Sequence, residues 1–368
     1  MTRSRALTAG AVALVGIGGV LLGRHYVVWQ RAETLRYQRG ETELVVTDVT
    51  GRARVTLFKA GKRLDEAKHI AGFDGRRIWL PEGNYFVEAE ESGRRLYYPA
   101  PLTGYRGGPD RDGAFVITIR PAPRESPPRL VADRPEFVYI PSGHFLLGDR
   151  ANPREPHYVW LTAYFLAPFE VTNAEFREFL NDQRGYAPSD YRRFGQPDQP
   201  VTNVTWHEAN AFCQWLTARI GAGRWMYSLP TDAEWEKAAR GPDSLDYGLS
   251  RFISDEEVKL YNWRKNPDAP VTVVGWRDSV WGPNRYGLHH MSGNVWEWTR
   301  SVFRPYNRQQ PFAEDDRSHD NIHAQRTARG GSWYSASIAL LYLPYRDAFQ
   351  PEHRSNDVGF RVAARLKP

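Results

Sequence analysis

Three short phrases constrain what this chain can fold into more than any other feature. Thr172–Glu175, Thr205–Glu208 and Thr231–Glu234 each read Thr-x-x-Glu. At that spacing the threonine hydroxyl accepts the third helical amide and the glutamate accepts the cap amide, so each phrase starts a helix. The first start is followed by Phe176, Phe179 and Leu180 on one face, the second by Ala209, Phe212, Cys213 and Leu216. The third follows Pro230 and is predicted to end at Gly241, a glycine C-cap. Past Gly241 no long periodic segment occurs, and tryptophan, proline and glycine dominate. A helical bundle or a doubly wound sheet needs such segments. The predicted class is therefore α+β, loop-rich, with large side chains holding it; the 13 Trp and 26 Pro among 368 residues fit that reading.

The N-terminal part has a different character. Ala6–Gly23 is an uncharged 18-residue run, preceded by Arg3 and Arg5 and followed by Arg24. As a helix it would measure about 27 Å, enough to cross a hydrocarbon core. No Ala-x-Ala pattern follows it, so an uncleaved transmembrane signal anchor is expected over 6–23, with a cleaved signal peptide as the alternative. That leaves a cytoplasmic N-terminus at 1–5 and a juxtamembrane stalk at 24–42. Arg3 and Arg5 argue that the short end stays inside, although Arg24, Arg31, Arg36 and Arg39 blunt the bias. The expected location is a bacterial-type cytoplasmic (inner) membrane, crossed once, with the main domains facing the periplasm or exterior.

Alternating runs at Glu43–Asp48, Ala53–Gly61, Arg76–Glu90 and Ala114–Pro121 read as strands, with a turn at Pro81–Asn84. Residues 43–120 are accordingly expected to form a small all-β sandwich. Its Leu-Pro-Glu-Gly-x-Tyr phrase resembles PEGA-type domains, which implies a spacer or interaction role without an active site. A proline-rich linker follows at 121–136, and residues 137–368 form the large domain. The net charge of +6 comes from scattered arginines without a basic block, so no nucleic-acid partner is expected. The single cysteine, Cys213, excludes an internal disulfide and a cysteine-rich metal site. On an apolar helix face it should be an inert, buried thiol.

Seven blocks of the large domain resemble the formylglycine-generating enzyme, or sulfatase-modifying factor, family. They are Phe137–Gly148, read as an opening strand, Pro168–Asn181, Gln199–Leu216, Tyr227–Gly241, Asn284–Trp298, Arg329–Trp333 and Asn356–Arg361. The resemblance implies a C-type-lectin-like architecture with a groove near the Arg-Gly-Gly-Ser-Trp turn. It also implies a copper site on two thiolates shortly after that turn, since soft Cu(I) prefers sulfur. Here those positions hold Ser335 and Leu340, and the histidine expected beside the first is Ala336. Copper and formylglycine-generating oxidase activity are therefore expected to be absent, with no catalytic residue assigned.

The resemblance implies a calcium site at His290, Gly293, Val295 and Glu297, the first being normally Asn or Asp. Imidazole is a poor calcium ligand. Either Glu297 and the carbonyls hold an ion, or Glu297 caps backbone amides while Trp296 and Trp298 pack the core. Asn262 matches part of another calcium site whose acidic loop is shortened. His289 and His290, read as extended, should point to opposite sides and make poor co-ligands. Asp315 and Asp316 read as a surface loop. The iron-dependent sulfoxide synthases of this fold need an additional helical domain with a histidine-rich motif, and the β-rich N-terminal half offers none.

What remains is a pseudoenzyme: a membrane-anchored, non-catalytic module binding a protein, peptide or glycan outside the cytoplasmic membrane. Its candidate ligand-binding residues are Ser332, Trp333, Tyr334, Ser335, Tyr342, Tyr345, Arg346, Phe349 and His353. Aromatic and arginine side chains of this kind supply interface hot spots. One alternative is an enzyme with changed, copper-independent chemistry using Ser335. Another is a variable ligand-binding protein of the diversity-generating-retroelement type, which the tail Tyr345–Arg361 also resembles. The run Ile338–Leu343 is open between groove lining and core.

Overall fold

The computed structural model describes residues 41–103, 114–148, 157–182, 195–250, 261–262, 275, 282–306 and 323–367. The expected anchor at Ala6–Gly23, most of the stalk, and Asp315-Asp316 lie outside the described residues. Among the described residues no helix is long and apolar enough to cross a membrane.

From residue 41 to 119 the described chain is strands and one short 3-10 turn, Leu64–Glu66. The strands are β1 (Glu41–Asp48), β2 (Arg54–Lys59), β3 (Lys68–His69), β4 (Arg77–Pro81), β5 (Gly83–Glu91), β6 (Arg94–Leu102) and β7 (Phe115–Ile119). They form two sheets, ordered β4-β1-β7 and β3-β2-β5-β6. The turn expected at Pro81–Asn84 is a one-residue break at Glu82. It does not close a hairpin, because β4 pairs with β1 while β5 pairs with β2. β6 escaped the sequence reading because Pro99 and Pro101 interrupt its pattern. It is the last strand of its sheet, where a residue without an N–H is tolerated.

Two compact units partition the chain. The smaller takes its described residues from 41–45, 77–83, 102–103 and 114–116, and is built on the β1–β4 pairing. The larger contains 46–76, 84–101 and everything from 117 onward. Within it, Arg285 donates to the Leu64 carbonyl and lies 4.7 Å over the Phe86 ring. The hydroxyls of Tyr286 and Tyr158 donate to the carbonyls of Tyr97 and Pro101 at 3.2 and 2.6 Å. The β2/β5 sheet is thus tied to the C-terminal fold.

That fold begins with β8 (Val138–Ile140) and β9 (Gly143–Leu147), followed by β10 (His157–Leu161) and β11 (Tyr164–Leu166). The single opening strand expected over Phe137–Gly148 is therefore two strands. They are broken at Pro141 and belong to different sheets, since Pro141 has no amide to continue a ladder. Next come α1 (Asn173–Asp182), α2 (Trp206–Ile220), β12 (Trp225–Ser228) and α3 (Asp232–Arg240). The last strands are β13 (Trp296–Val302), β14 (Arg326–Arg329), β15 (Asp347–Phe349), β16 (Val358–Gly359) and β17 (Ala363–Leu366). Sheets β12-β17-β11-β8 and β15-β14-β13-β16 carry the fold, and the β13–β16 pairing is parallel. Among the described residues this is mixed α/β with few helices.

All three capping boxes form. Each threonine hydroxyl accepts the amide of its glutamate at 3.1–3.2 Å, and each glutamate accepts the threonine amide at 2.7–2.9 Å. All three glutamates have a second task that their spacing does not reveal, and Glu175 meets Arg134 at 3.3 Å. Glu208 receives Arg354 at 2.6 Å, and Glu234 pairs with Arg365, so two helix N-termini anchor the C-terminal segment. Phe176, Phe179, Ala209, Phe212, Cys213 and Leu216 are buried in one core with Trp298 and Phe360. Burial pushes the Cys213 thiol up, as an inert thiol requires. Gly241 ends α3 at φ 62°. Every residue of α3 is buried, including Glu236 at 0% and Lys237 at 1% exposure, so its polar face is encased. Lys237 compensates by donating to the Pro141 and Gly143 carbonyls at 2.7 and 3.0 Å.

Candidate functional site

The Arg-Gly-Gly-Ser-Trp turn leaves the end of β14, and Arg329 fixes it. The side chain is fully buried and all three nitrogens are engaged. Nε meets Asp232 at 2.5 Å, Nη2 meets Glu236 and the Tyr306 hydroxyl at 2.7 Å, and Nη1 donates to the carbonyls of Leu343 and Tyr345 at 2.7 and 3.2 Å. One guanidinium therefore joins α3, β14 and the segment after the turn. Gly330 and Gly331 have φ of 94° and 69°. A Cβ on Gly331 would sit 2.6 Å from the Leu340 carbonyl oxygen, so the turn needs a residue with neither Cβ nor aversion to the left-handed region.

Ser335 is buried within this turn. Its Oγ accepts the Ser332 amide at 2.9 Å and lies 3.3 Å from the Ser332 hydroxyl. The Ser332 hydroxyl donates to Asp357 at 2.7 Å, and Ser355 donates to the other oxygen of the same carboxylate. Ser335 thus serves the turn. Leu340 lies in a 3-10 turn, Ile338–Leu341, and packs against the main core. Leu341 and Leu343 are fully buried, and Ile338 packs with Leu341 against Tyr261. Leu341 and Leu343 are therefore core, while Ile338, Leu340 and Tyr342 are half-buried and Ala339 is exposed.

The other candidate ligand residues divide into surface and scaffold. Tyr334 and Tyr345 are exposed at 56% and 36%. Trp333 lies beside Tyr334, ring centroids 5.2 Å apart, and its amide donates to the Asn294 carbonyl. Tyr345 lies 6.0 Å from Trp296. Phe349 meets Trp296 and Trp298 edge-on at 6.0 and 5.8 Å and stacks on His353 at 4.6 Å. Tyr342 is half-buried beside Tyr247. Ser332 is fully buried, and Arg346 faces inward, paired with Asp232 at 2.8 Å and 4.1 Å over the Tyr306 ring. The RGGSW face accordingly presents tyrosines backed by an indole, with its arginines spent on the scaffold.

Two of the candidate calcium residues, Glu297 and His290, are committed to internal partners. Glu297, fully buried, holds Arg361 through both oxygens at 2.6 Å, and Oε2 accepts the Trp235 indole N–H at 2.7 Å. Arg361 reaches on to the carbonyls of Ala167, Pro168 and His289. His290 Nδ1 lies 3.0 Å from Glu170, whose other oxygen accepts Asn294 at 2.9 Å. Burial pushes the Glu170 carboxyl up, but His290 and Arg361 together outweigh it and hold it well below its ordinary value. A cation beside Glu297 would face the Arg361 guanidinium, and calcium requires several oxygen donors. As arranged, these residues do not fit a resident calcium ion. Gly293, with φ of 88°, packs against the Asn262 carbonyl, and the Val295 side chain is in the interior. Asn262 is bonded to Asn294 at 3.0 Å. His290 has φ of 58°, so the His289–His290 segment is not extended as expected. The turn sets both imidazoles against Phe169, at 4.3 and 5.4 Å.

The sequence reading missed Glu170, Asp232, Glu236 and Asp357, which hold the turn and its neighbours. All four lie in or near the quoted blocks, but their partners are distant in sequence and no spacing rule links them.

Residues 123–366 match the profile of the family described as "Sulfatase-modifying factor enzyme 1-like domain". The chain belongs to that family. Hercynine oxygenase of Mycolicibacterium smegmatis is 32% identical over 300 residues, covering 65% of this chain and 66% of that protein. The "Inactive C-alpha-formylglycine-generating enzyme 2" of Mus musculus is 26% identical, covering 63% of this chain and 87% of that protein. Among solved structures, PvdO from Pseudomonas aeruginosa aligns with a TM-score of 0.53 at 22% identity, covering 64% of this chain and 96% of that one. This last likeness concerns fold alone.

Proposed function

We propose that this protein is a membrane-anchored, non-catalytic member of the sulfatase-modifying-factor family. Its RGGSW face binds a protein, peptide or glycan outside the cytoplasmic membrane. The observation that carries the reading is what occupies the two family thiolate positions. Ser335 is hydrogen-bonded into the turn, and Leu340 is packed against the core. Neither offers a soft donor to Cu(I). Exposed Tyr334 and Tyr345 on the same segment supply the type of side chain that anchors interfaces. One family relative, the mouse protein, is itself named inactive.

A second reading is an enzyme with different chemistry at Ser335, favoured by the hydrogen-bonded series Ser335–Ser332–Asp357. A serine nucleophile needs a base able to take its proton. Here the carboxylate contacts Ser332 and Ser355, so the binding reading is preferred. The deciding experiment combines metal analysis of the purified full chain with crosslinking in intact membranes. The expected result is no stoichiometric copper or iron, with a partner recovered by the wild type and lost in the double variant Tyr334→Ala, Tyr345→Ala. Stoichiometric copper or iron, or capture unaffected by the double variant, would sink the proposal.

A further inference from the structure

A concave, arginine-lined surface lies where the β2/β5 sheet meets the segment that follows β7. A concavity of about 510 Å³ is lined by Arg52, Arg94, Arg120 and Arg124. Its floor is small and apolar, with Ala53, Ala89, Leu96 and Ile119. A second concavity of about 580 Å³ adjoins it, with Arg94 and Arg124 lining both, and adds Arg129. Three acids line the two, Glu91, Glu125 and Glu136, and Glu125 is already paired with Arg224. Arg94 donates to the Pro123 carbonyl and Arg129 to the Arg134 carbonyl. Among the described residues, Arg52, Arg120 and Arg124 are exposed and have no carboxylate partner.

Exposed guanidiniums repeated along a groove favour planar oxyanions, which they bind bidentately. The walls select among polyanions. Pro121, Pro127 and Pro128 have no N–H, so a peptide cannot add a strand along that wall. Single-stranded nucleic acid needs stacking platforms, and among the described residues the one aromatic in the lining, Trp225, is only 3% exposed. We infer that this groove binds a linear acidic polysaccharide, whose carboxylate or phosphate groups its exposed arginines take.

The test uses the full chain, with polygalacturonate as the probe and neutral dextran as its control. Binding to polygalacturonate and not to dextran is expected. Arg120→Glu combined with Arg124→Glu should weaken it at least about tenfold, the scale of one charge-assisted contact. Arg177→Glu on exposed α1 changes charge outside the groove and should leave the affinity within about twofold. Neither groove arginine holds a structural partner, so both variants should keep the wild-type melting temperature. Absence of binding would overturn the inference. So would equal weakening by Arg177→Glu, which would reduce it to net charge, or equal affinity for poly-aspartate or single-stranded DNA.

Discussion

Replacing Arg329 by methionine tests the central claim about the RGGSW turn. Methionine keeps much of the volume and removes every hydrogen bond. Asp232 and Glu236 would lose their closest cation, while Asp232 retains Arg346 at 2.8 Å and Glu236 retains Arg240 at 3.7 Å. The Leu343 and Tyr345 carbonyls would lose their donor. Removing one partner from a buried charge network costs about 3–5 kcal/mol, because the remaining charge stays desolvated. For a fold of this size that corresponds to a fall of about 6–20 °C in melting temperature. Chemical denaturation of wild type, Arg329→Met, Glu236→Gln and the double variant forms a complete cycle. The double variant should be less damaged than the sum of the singles, since Glu236→Gln removes the charge that Arg329→Met strands. A loss below about 1 kcal/mol, the range of an exposed pair, would refute the assignment of Arg329 as the anchor of the turn. Strict additivity would refute its coupling to Glu236.

Two further outcomes follow from the charges around that turn. Burial pushes the Asp232 carboxyl up, but Arg329 and Arg346 outweigh it and hold it below its ordinary value of 3.8. A depressed folded value means stability that is present above the unfolded value and is lost as pH falls. The stability difference between wild type and Asp232→Asn should therefore be flat above about pH 5 and shrink below about pH 4; a difference that grows on acidification would contradict the pairing. For calcium, millimolar additions and chelator should leave the melting temperature unchanged, since Glu297 is held by Arg361. Ligand at about a hundred times its dissociation constant would stabilise by about 2.7 kcal/mol, so a rise of several degrees would show that an ion displaces the guanidinium.

Local chemistry made part of this protein legible from its residues alone. A capping box depends on four consecutive residues, so Thr172, Thr205 and Thr231 announced their helices, and the apolar spacing of α2 announced the burial of Cys213. The glycine turn and the residues at 335, 336 and 340 likewise announced family membership and the absence of paired thiolates. Strands were less legible where proline interrupts the pattern, as in β6, or divides one apolar run between two sheets, as at Pro141.

The fate of the polar and aliphatic residues was decided in three dimensions. Nothing adjacent to Arg329, Arg346 or Arg361 says that Asp232, Glu236 and Glu297 will neutralise them; those partners lie far away along the chain. Ile338–Leu343 could equally have lined a groove, and burial of Leu341 and Leu343 is set by segments from elsewhere in the chain. The sequence alone determined where the three capped helices start and which thiolate ligands are missing. Only the tertiary structure decided which charges are scaffold and which are surface, because charge pairing and desolvation depend on distances that chain order does not encode.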